Sequence, residues 1–388
     1  MSDSFPLLTL QPAGDADNRW VALLLEGDVP LDGATLVHVL NGLELSEALS
    51  TLACVAAVNP VNVEPSHADN LPRDHVVLRI PMVAATDPAQ QDHLAALHTA
   101  GFRLMATGVP VAGSTLSPAV QSLAMTCPDH LLPEDLAYLL HHLHGPHLAL
   151  GAVGNTCPGF CKFQWMTGHL AGHLSPSKRD NSGSRAVLIK LLSLVTSDAE
   201  SSELEAVIKR DPGLSYNLLK LVNSVAFAPA SKIANFNQAI AILGRRQLQR
   251  WLQLLLYTRS QGSDKSSPLL PRAALRARLM EDLAKAAKLT RDEQDHAFMV
   301  GMFSLLDVLF GVPIAEIIRP LNLSDDIVQA LTAGQGPLGG LLAVVNAAEG
   351  PPSTILAEAL AAAGIGREEW AAILTEAAVW AVHISREA

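Results

Sequence analysis

The sequence predicts an α/β N-terminal half followed by an all-α C-terminal half. Three observations carry that division. Short Val- and Leu-rich runs alternate with helical segments before residue 174, whereas helical periodicity takes over after residue 184. Ala and Leu dominate a chain that is 49% apolar and only 4% aromatic, and both are strong helix formers. Histidine and cysteine usage changes at the same place: twelve of the 14 histidines and all 4 cysteines precede residue 175. The stretch LSPSKRDNSGS is polar, aperiodic and bears Gly, Pro and Ser, so it reads as a joint. The expected domains are therefore 1–174, a linker over 175–184, and 185–388.

In the first half, WVALLLEG (20–27) and DHVVLRIP (74–81) read as buried strands bounded by turn residues. TLACVAAVNP, FRLMATGVP and HLALGAVG are strand-like although rich in Ala. Between them DPAQQDHLAALHTAG has Asp87 to start a helix, Gly101 to end it, and Leu94, Leu97 and Ala100 on one face. Strand alternating with helix implies a mostly parallel sheet. After the linker, amphipathic segments follow one another from RAVLIKLLSLVTS to REEWAAILTEAAVWAVHIS, and no strand signal interrupts them.

Charge excludes some functions. The net is −11, and residues 1–180 carry 7 Lys/Arg against 17 Asp/Glu, while residues 181–388 carry 20 against 21. An acidic half beside a near-neutral one argues against nucleic acid as a partner, because that needs a positive field. The start, MSDSFPLLTL, lacks a signal peptide's basic and apolar regions, and GMFSLLDVLFGV is broken by Asp307, so no membrane span is expected. The few, mostly separated cysteines make no disulfide framework. A cytoplasmic protein with reduced thiols is the expectation.

The segment DPGLSYNLLKLVNSVAFAPASKIANFNQAIAILGRRQLQRWL (211–252) resembles the core of the HDOD domain, a helical module of bacterial signalling proteins related to HD phosphohydrolases. The resemblance rests on Asp211-Pro212, the run at 218–224 ending in Asn223-Ser224, Gln238-Ala239-Ile240, Leu243-Gly244 and Arg246-Gln247-Leu248. Read physically, Leu218, Leu219, Leu221 and Val222 form one buried helical face, Asn223 and Ser224 end that helix, and Gly244 permits a sharp turn. In HD relatives a His-Asp pair follows a stretch like AFMVGMF; here Ser304-Leu305 follow, and Asp295 and His296 sit two turns earlier without a companion histidine before His383. The resemblance therefore implies a binding or scaffold domain, with no metal cofactor.

An HDOD domain behind an α/β segment also resembles proteins that carry an EAL domain in front. EAL domains are TIM-type barrels that hydrolyse cyclic di-GMP with carboxylates around two metals. In that resemblance Ala22 stands where the first strand should carry Glu, and Asn59 is the remnant of a metal-binding Asn. Arg79 or its neighbour replaces a Glu, Ala106-Thr107 replace paired Asp, and HLALGAVGNT stands where Lys and Glu belong. The residues GFCKFQ (159–164) are similar to the Gly-Phe-x-x-Phe-Gln signature near the last strand. About 175 residues is short for eight strand-helix units, so a reduced or incomplete barrel is expected.

Other constellations compete for chemistry. Cys157, Cys161, His169 and His173 carry donors suited to tetrahedral zinc, but the seven residues separating Cys161 from His169 are fewer than in zinc-finger loops. On the EAL resemblance Cys161 is incidental to packing by Phe160 and Phe163. HHLHGPH (141–147) places His141 and His144 on one helix face that ends at Gly145-Pro146. Arg245, Arg246 and Arg250 beside Trp251 form a candidate surface for anions or a docking partner, with a salt-bridged helix face as the plainer reading. No P-loop, G-x-G-x-x-G in context, H-E-x-x-H or G-x-S-x-G occurs.

The expected protein is a non-catalytic signalling regulator that acts by binding other proteins, with self-association left open. Two alternatives remain: a divergent metal phosphohydrolase, and a small-molecule sensor using the remnant barrel.

Overall fold

The computed structural model describes residues 5–15, 19–43, 45–48, 51–72, 75–111, 113–126, 140–151, 163–167, 182–197, 199–200, 203–204, 207, 236–258, 269–321 and 323–387. Its N-terminal part is a closed barrel of eight strands. They are β1 (Leu8–Gly14), β2 (Trp20–Gly27), β3 (Ala53–Ala57), β4 (Val76–Pro81), β5 (Arg103–Thr107), β6 (Val120–Thr126), β7 (Leu148–Leu150) and β8 (Trp165–Met166). Strands β2 to β8 run parallel; β1 is antiparallel to both β2 and β8. The Gly14–Met166 pairing closes the ring.

Of the two expectations, a reduced or an incomplete barrel, the structure shows the reduced one: the ring is closed. Short strands resolve the length problem, since β7 has three residues and β8 two. Paired residues of parallel strands share a face, and successive side chains alternate between faces. The registers Ala22–Ala53, Leu24–Val55, Val55–Val77 and Ala124–Leu148 therefore define one inward set. Ala13, Ala22, Leu24, Ala53, Val55, Val77, Met105, Ala124 and Leu148 pack together there, with Leu150 and Trp165 against them. This is a filled core, as barrels of this size have. The opposite faces of the strands are buried too: Leu23, Leu25, Cys54, Ala56, Leu78 and Ala106 are wholly inaccessible. Burial pushes the Cys54 thiol up to about 12, which keeps it protonated and unreactive.

The expected helix after β4 begins as read. The Asp87 carboxylate accepts from the Ala89 N–H at 2.9 Å, the helix Gln91–Thr99 follows, and Gly101 leaves it at φ 106°. Leu94 and Leu97 are its buried face.

The C-terminal part is helical: α1 (Ser182–Thr196), α2 (Phe236–Thr258), α3 (Leu269–Ala286), α4 (Arg291–Phe303), α5 (Asp325–Ala333), α6 (Gly336–Ala348), α7 (Thr354–Ala362) and α8 (Arg367–Glu387), with shorter turns between α4 and α5. Gly244 breaks α2 at φ 71° and ψ 164°, a conformation essentially reserved for glycine. It does so by backbone freedom alone, because nothing lies within 4 Å of where a Cβ would stand. Asp325–Ala348 is apolar enough by length and composition to cross a membrane. Left-handed Gly334 and Gly336 divide it into helices of nine and thirteen residues, each short of the ~20 that a span needs.

The helical half expected over 185–388 is divided in the structure. One compact unit comprises Met1–Ser175 with Ala343–Trp380; the other comprises Pro176–Leu342 with Ala381–Ala388. The reason lies in α8. Trp370 is fully buried and its indole Nε1 donates to the Leu8 carbonyl of β1 at 2.8 Å. Arg367 donates to Asp28 at 2.8 Å and to the Phe5 carbonyl at 3.3 Å. Asp28 in turn accepts from the Leu7 N–H at 2.9 Å. Helical periodicity could show that these residues form a helix but not which unit they pack with.

Candidate functional site

Barrels of this type place their chemistry at the C-terminal ends of the strands. Continuing each inward row by two residues, from Leu24, Val55, Val77 and Met105, brings Glu26, Ala57, Arg79 and Thr107 to that end. Arg79 Nη2 donates to Glu26 Oε1, with the Arg79 side chain 10% and the Glu26 side chain 15% exposed. The two side chains come from β2 and β4, and the methyl of Ala57 on the intervening β3 leaves room for them to meet. The mouth is therefore floored by a compensated ion pair. Arg79 Nε is buried and lacks a partner among the described residues.

The other positions singled out by sequence distribute around this floor. Ala22 is fully buried two inward positions below Glu26 on β2, inside the apolar core. Asn59 precedes the 3-10 turn Pro60–Asn62, partly buried, and makes no capping bond. Of the Ala106-Thr107 pair only Thr107 faces inward; Ala106 is buried on the other side of β5. Sequence reading missed Glu26, although the spacing 22, 24, 26 along one strand carried the signal.

His147 precedes β7 and is 1% exposed. Its Nδ1 accepts from the Leu123 N–H of β6 at 3.1 Å, and its Nε2 donates to the Leu140 carbonyl at 2.8 Å. Its backbone N–H donates to the Gln164 side chain at 2.8 Å, which ties β7 to the turn entering β8. Burial, partly offset by the Leu140 bond, pushes the imidazole below its usual pKa, so it is neutral and structural. His141 and His144, by contrast, are exposed. Cys157, Cys161, His169 and His173 lie outside the described residues, as does Phe160; Phe163 is buried beside β8. Among the described residues no three His, Cys, Asp or Glu side chains come together as a metal site.

In the helical unit, the arginine patch resolves into an ion-pair network. Arg246 pairs with Asp295 and lies 3.8 Å from Glu281, while Arg250 reaches Glu281 and, at 3.0 Å, Asp295. The Arg250 guanidinium also sits 4.3 Å over the Phe298 ring. Two cations from α2 meet two anions from α3 and α4, so the four groups sum to zero charge and tie three helices together. Arg245 and Trp251 fall within α2, but their side chains lie outside the described residues, as do Asp211, Pro212, Asn223 and Ser224. His296 Nδ1 meets Asp326 Oδ2 of α5 at 2.8 Å. Partial burial pushes the Asp326 carboxyl up, but bonds from Ser324 and His296 outweigh it and hold the pKa below the ordinary range.

Comparison with known proteins identifies the helical segment. Residues 185–311 match the HDOD domain, and the chain carries that domain there. YuxH of Bacillus subtilis strain 168, an uncharacterized protein, is 34% identical over 144 residues, which cover 37% of this chain and 35% of YuxH. The cyclic di-GMP phosphodiesterase CdgJ of Vibrio cholerae is 32% identical over 139 residues, covering 36% of this chain and 32% of CdgJ. The matches thus span about a third of each of these relatives. Among solved structures, the EAL domain of Mycobacterium smegmatis DcpA aligns over 42% of this chain and 89% of its own at 17% identity, with a TM-score of 0.33.

Proposed function

We propose that this HDOD-containing protein is a non-catalytic regulator in bacterial signal transduction, acting in the cytoplasm through protein–protein contacts, with an EAL-like barrel that has lost its metal cage. The observation that carries the reading is the inward face of the barrel. Two divalent ions need several anionic oxygen ligands around them. At the positions where the EAL resemblance expects those ligands, the chain has the Ala22 methyl inside an apolar core and Arg79 in an ion pair. Among the described residues, those at these positions do not fit a two-metal site. In the helical unit Asp295 is engaged by two arginines and His296 by Asp326, which leaves neither poised to share a metal.

The test is direct. The full chain, assayed with Mn²⁺ and cyclic di-GMP beside an active EAL enzyme as positive control, is expected to give no product above buffer. Turnover abolished by a chelator would overturn the reading. Tightly bound transition metal in the purified protein would instead favour a divergent phosphohydrolase.

A further inference from the structure

Among the described residues, exposed large apolar side chains are concentrated in one place. Val29, Val61, Val83, Val109 and Val111 are between 51% and 77% exposed, and among the described residues only Val312 and Ile355 elsewhere are comparable. Val29 follows β2, Val61 follows β3, Val83 follows β4, and Val109 and Val111 follow β5. These four strands are parallel neighbours, so all five valines lie at one end of the barrel, along one sector of its mouth. Single exposed valines need no explanation; five along one rim do.

The charges of the same segments say what could cover that rim. Residues 27–37, 58–64, 81–92 and 108–119 contain Asp28, Asp32, Glu64, Asp87 and Asp92, and no Lys or Arg. Asp28 is met by Arg367. The Asp32 and Asp87 side chains accept from the Thr35 and Ala89 N–H groups at helix starts, and Glu64 forms a capping box, which fixes these carboxylates in place. Beneath them the Glu26–Arg79 pair contributes no net positive charge. Nucleic acid and anionic lipid are repelled by such a rim. A second copy docked on its own equivalent surface would set acid against acid. A cationic segment is matched in both respects.

Building on the regulatory reading above, we propose that the rim formed by the segments after β2, β3, β4 and β5 is the docking surface for a Lys/Arg-rich partner segment that interleaves apolar side chains. Its apolar residues cover the valines, and its cations face Asp32, Glu64, Asp87 and Asp92.

The probe is a labelled 18-residue peptide with Leu on one helical face and Lys on the other, titrated by anisotropy against the full chain. The expected result is salt-sensitive binding that weakens at least about tenfold in the Val83→Ser/Val111→Ser double variant. A matched peptide with Glu for Lys is expected not to bind. Both valines are exposed, so unfolding is not expected, and circular dichroism checks this. Equal binding to the double variant would overturn the proposal, as would no binding, or a wild-type dimer that the double variant loses in sedimentation. If a native partner were retained by the double variant while hydrolysis stayed absent, the regulatory reading would stand and this surface alone would fall.

Discussion

Replacing Trp370 by Ala tests whether the C-terminal helices belong physically to the barrel. The indole is fully buried, and its N–H is spent on the Leu8 carbonyl of the first strand. Truncating a buried Trp to Ala costs about 4 kcal/mol in lost burial and cavity formation. The lost hydrogen bond adds about 1 kcal/mol, leaving a buried strand carbonyl without its indole partner. Trp370→Phe keeps most of the packing and loses the bond, so about 1–2 kcal/mol is expected for it. Hydrogen exchange read peptide by peptide gives the measurement without assuming a single two-state transition. At ~1.4 kcal/mol per decade, the Ala variant should raise exchange in β1 and β2 by roughly three to four orders of magnitude where it proceeds through opening of that unit. Peptides of α3 and α4, in the other unit, should change little. If α3 and α4 lose protection while β1 and β2 keep theirs, the assignment of Ala343–Trp380 to the barrel is wrong.

Three further outcomes follow from individual contacts. Glu26→Gln and Arg79→Met should each destabilise the barrel more than the double variant does, because either alone strands a largely buried charge; a chemical-denaturation cycle should give a coupling of about 1–3 kcal/mol. His147 is held neutral, its folded pKa lying below the unfolded value of about 6.5. The unfolded chain therefore binds the extra proton first, and the contribution of His147, present above about pH 6.5, should be lost as pH falls through its folded pKa. Urea midpoints from pH 8 to pH 5 should show this loss, and His147→Gln should remove that part of it. Gly244→Ala, at a backbone conformation nearly confined to glycine, should cost the helical unit about 1–3 kcal/mol by thermal unfolding, whereas Gly340→Ala, within a helix where a Cβ meets open space, should be neutral or stabilising and serves as the control.

The barrel was legible where strands announce themselves. WVALLLEG coincides with β2, and the Val/Leu runs locate β4 and β5, because strands buried on both faces read as continuous apolar stretches. Three strands hid for different reasons. Pro12 interrupts β1, where a proline cannot donate to the ladder; Gln121 and Ser122 give β6 a polar look; β8 is two residues long. The mouth was half legible. Arg79 stood out as a basic residue where the EAL resemblance expected Glu, but its partner is 53 residues away in sequence, and only strand register shows that β2 and β4 bring them together. The spacing of Arg246 and Arg250 places both on one helix face, while their neutralisation by Glu281 and Asp295 depends on how three helices pack.

The division of the chain also decides how a partner can be sought. The HDOD match ends at residue 311, and the compact unit containing it ends its main segment at Leu342. A fragment running from residue 185 to the C-terminus looks natural from the sequence. It would nevertheless carry Trp370, Ala371, Leu374, Ala377 and Ala378, all buried in the intact chain, on helices deprived of the β1 edge that Trp370 engages. Such a newly exposed apolar face binds indiscriminately. Proteins captured by that fragment would report the injury as much as the domain. The informative comparison therefore keeps the chain whole and changes the rim or the α2 network by substitution. Val83→Ser/Val111→Ser should release partners of the barrel mouth. Arg250→Ala, which removes one of the two cations facing Glu281 and Asp295, should affect only partners of the helical unit. Loss of the same partner in both variants, with folding intact by hydrogen exchange, would mean that recognition is not separable by unit and would refute this scheme.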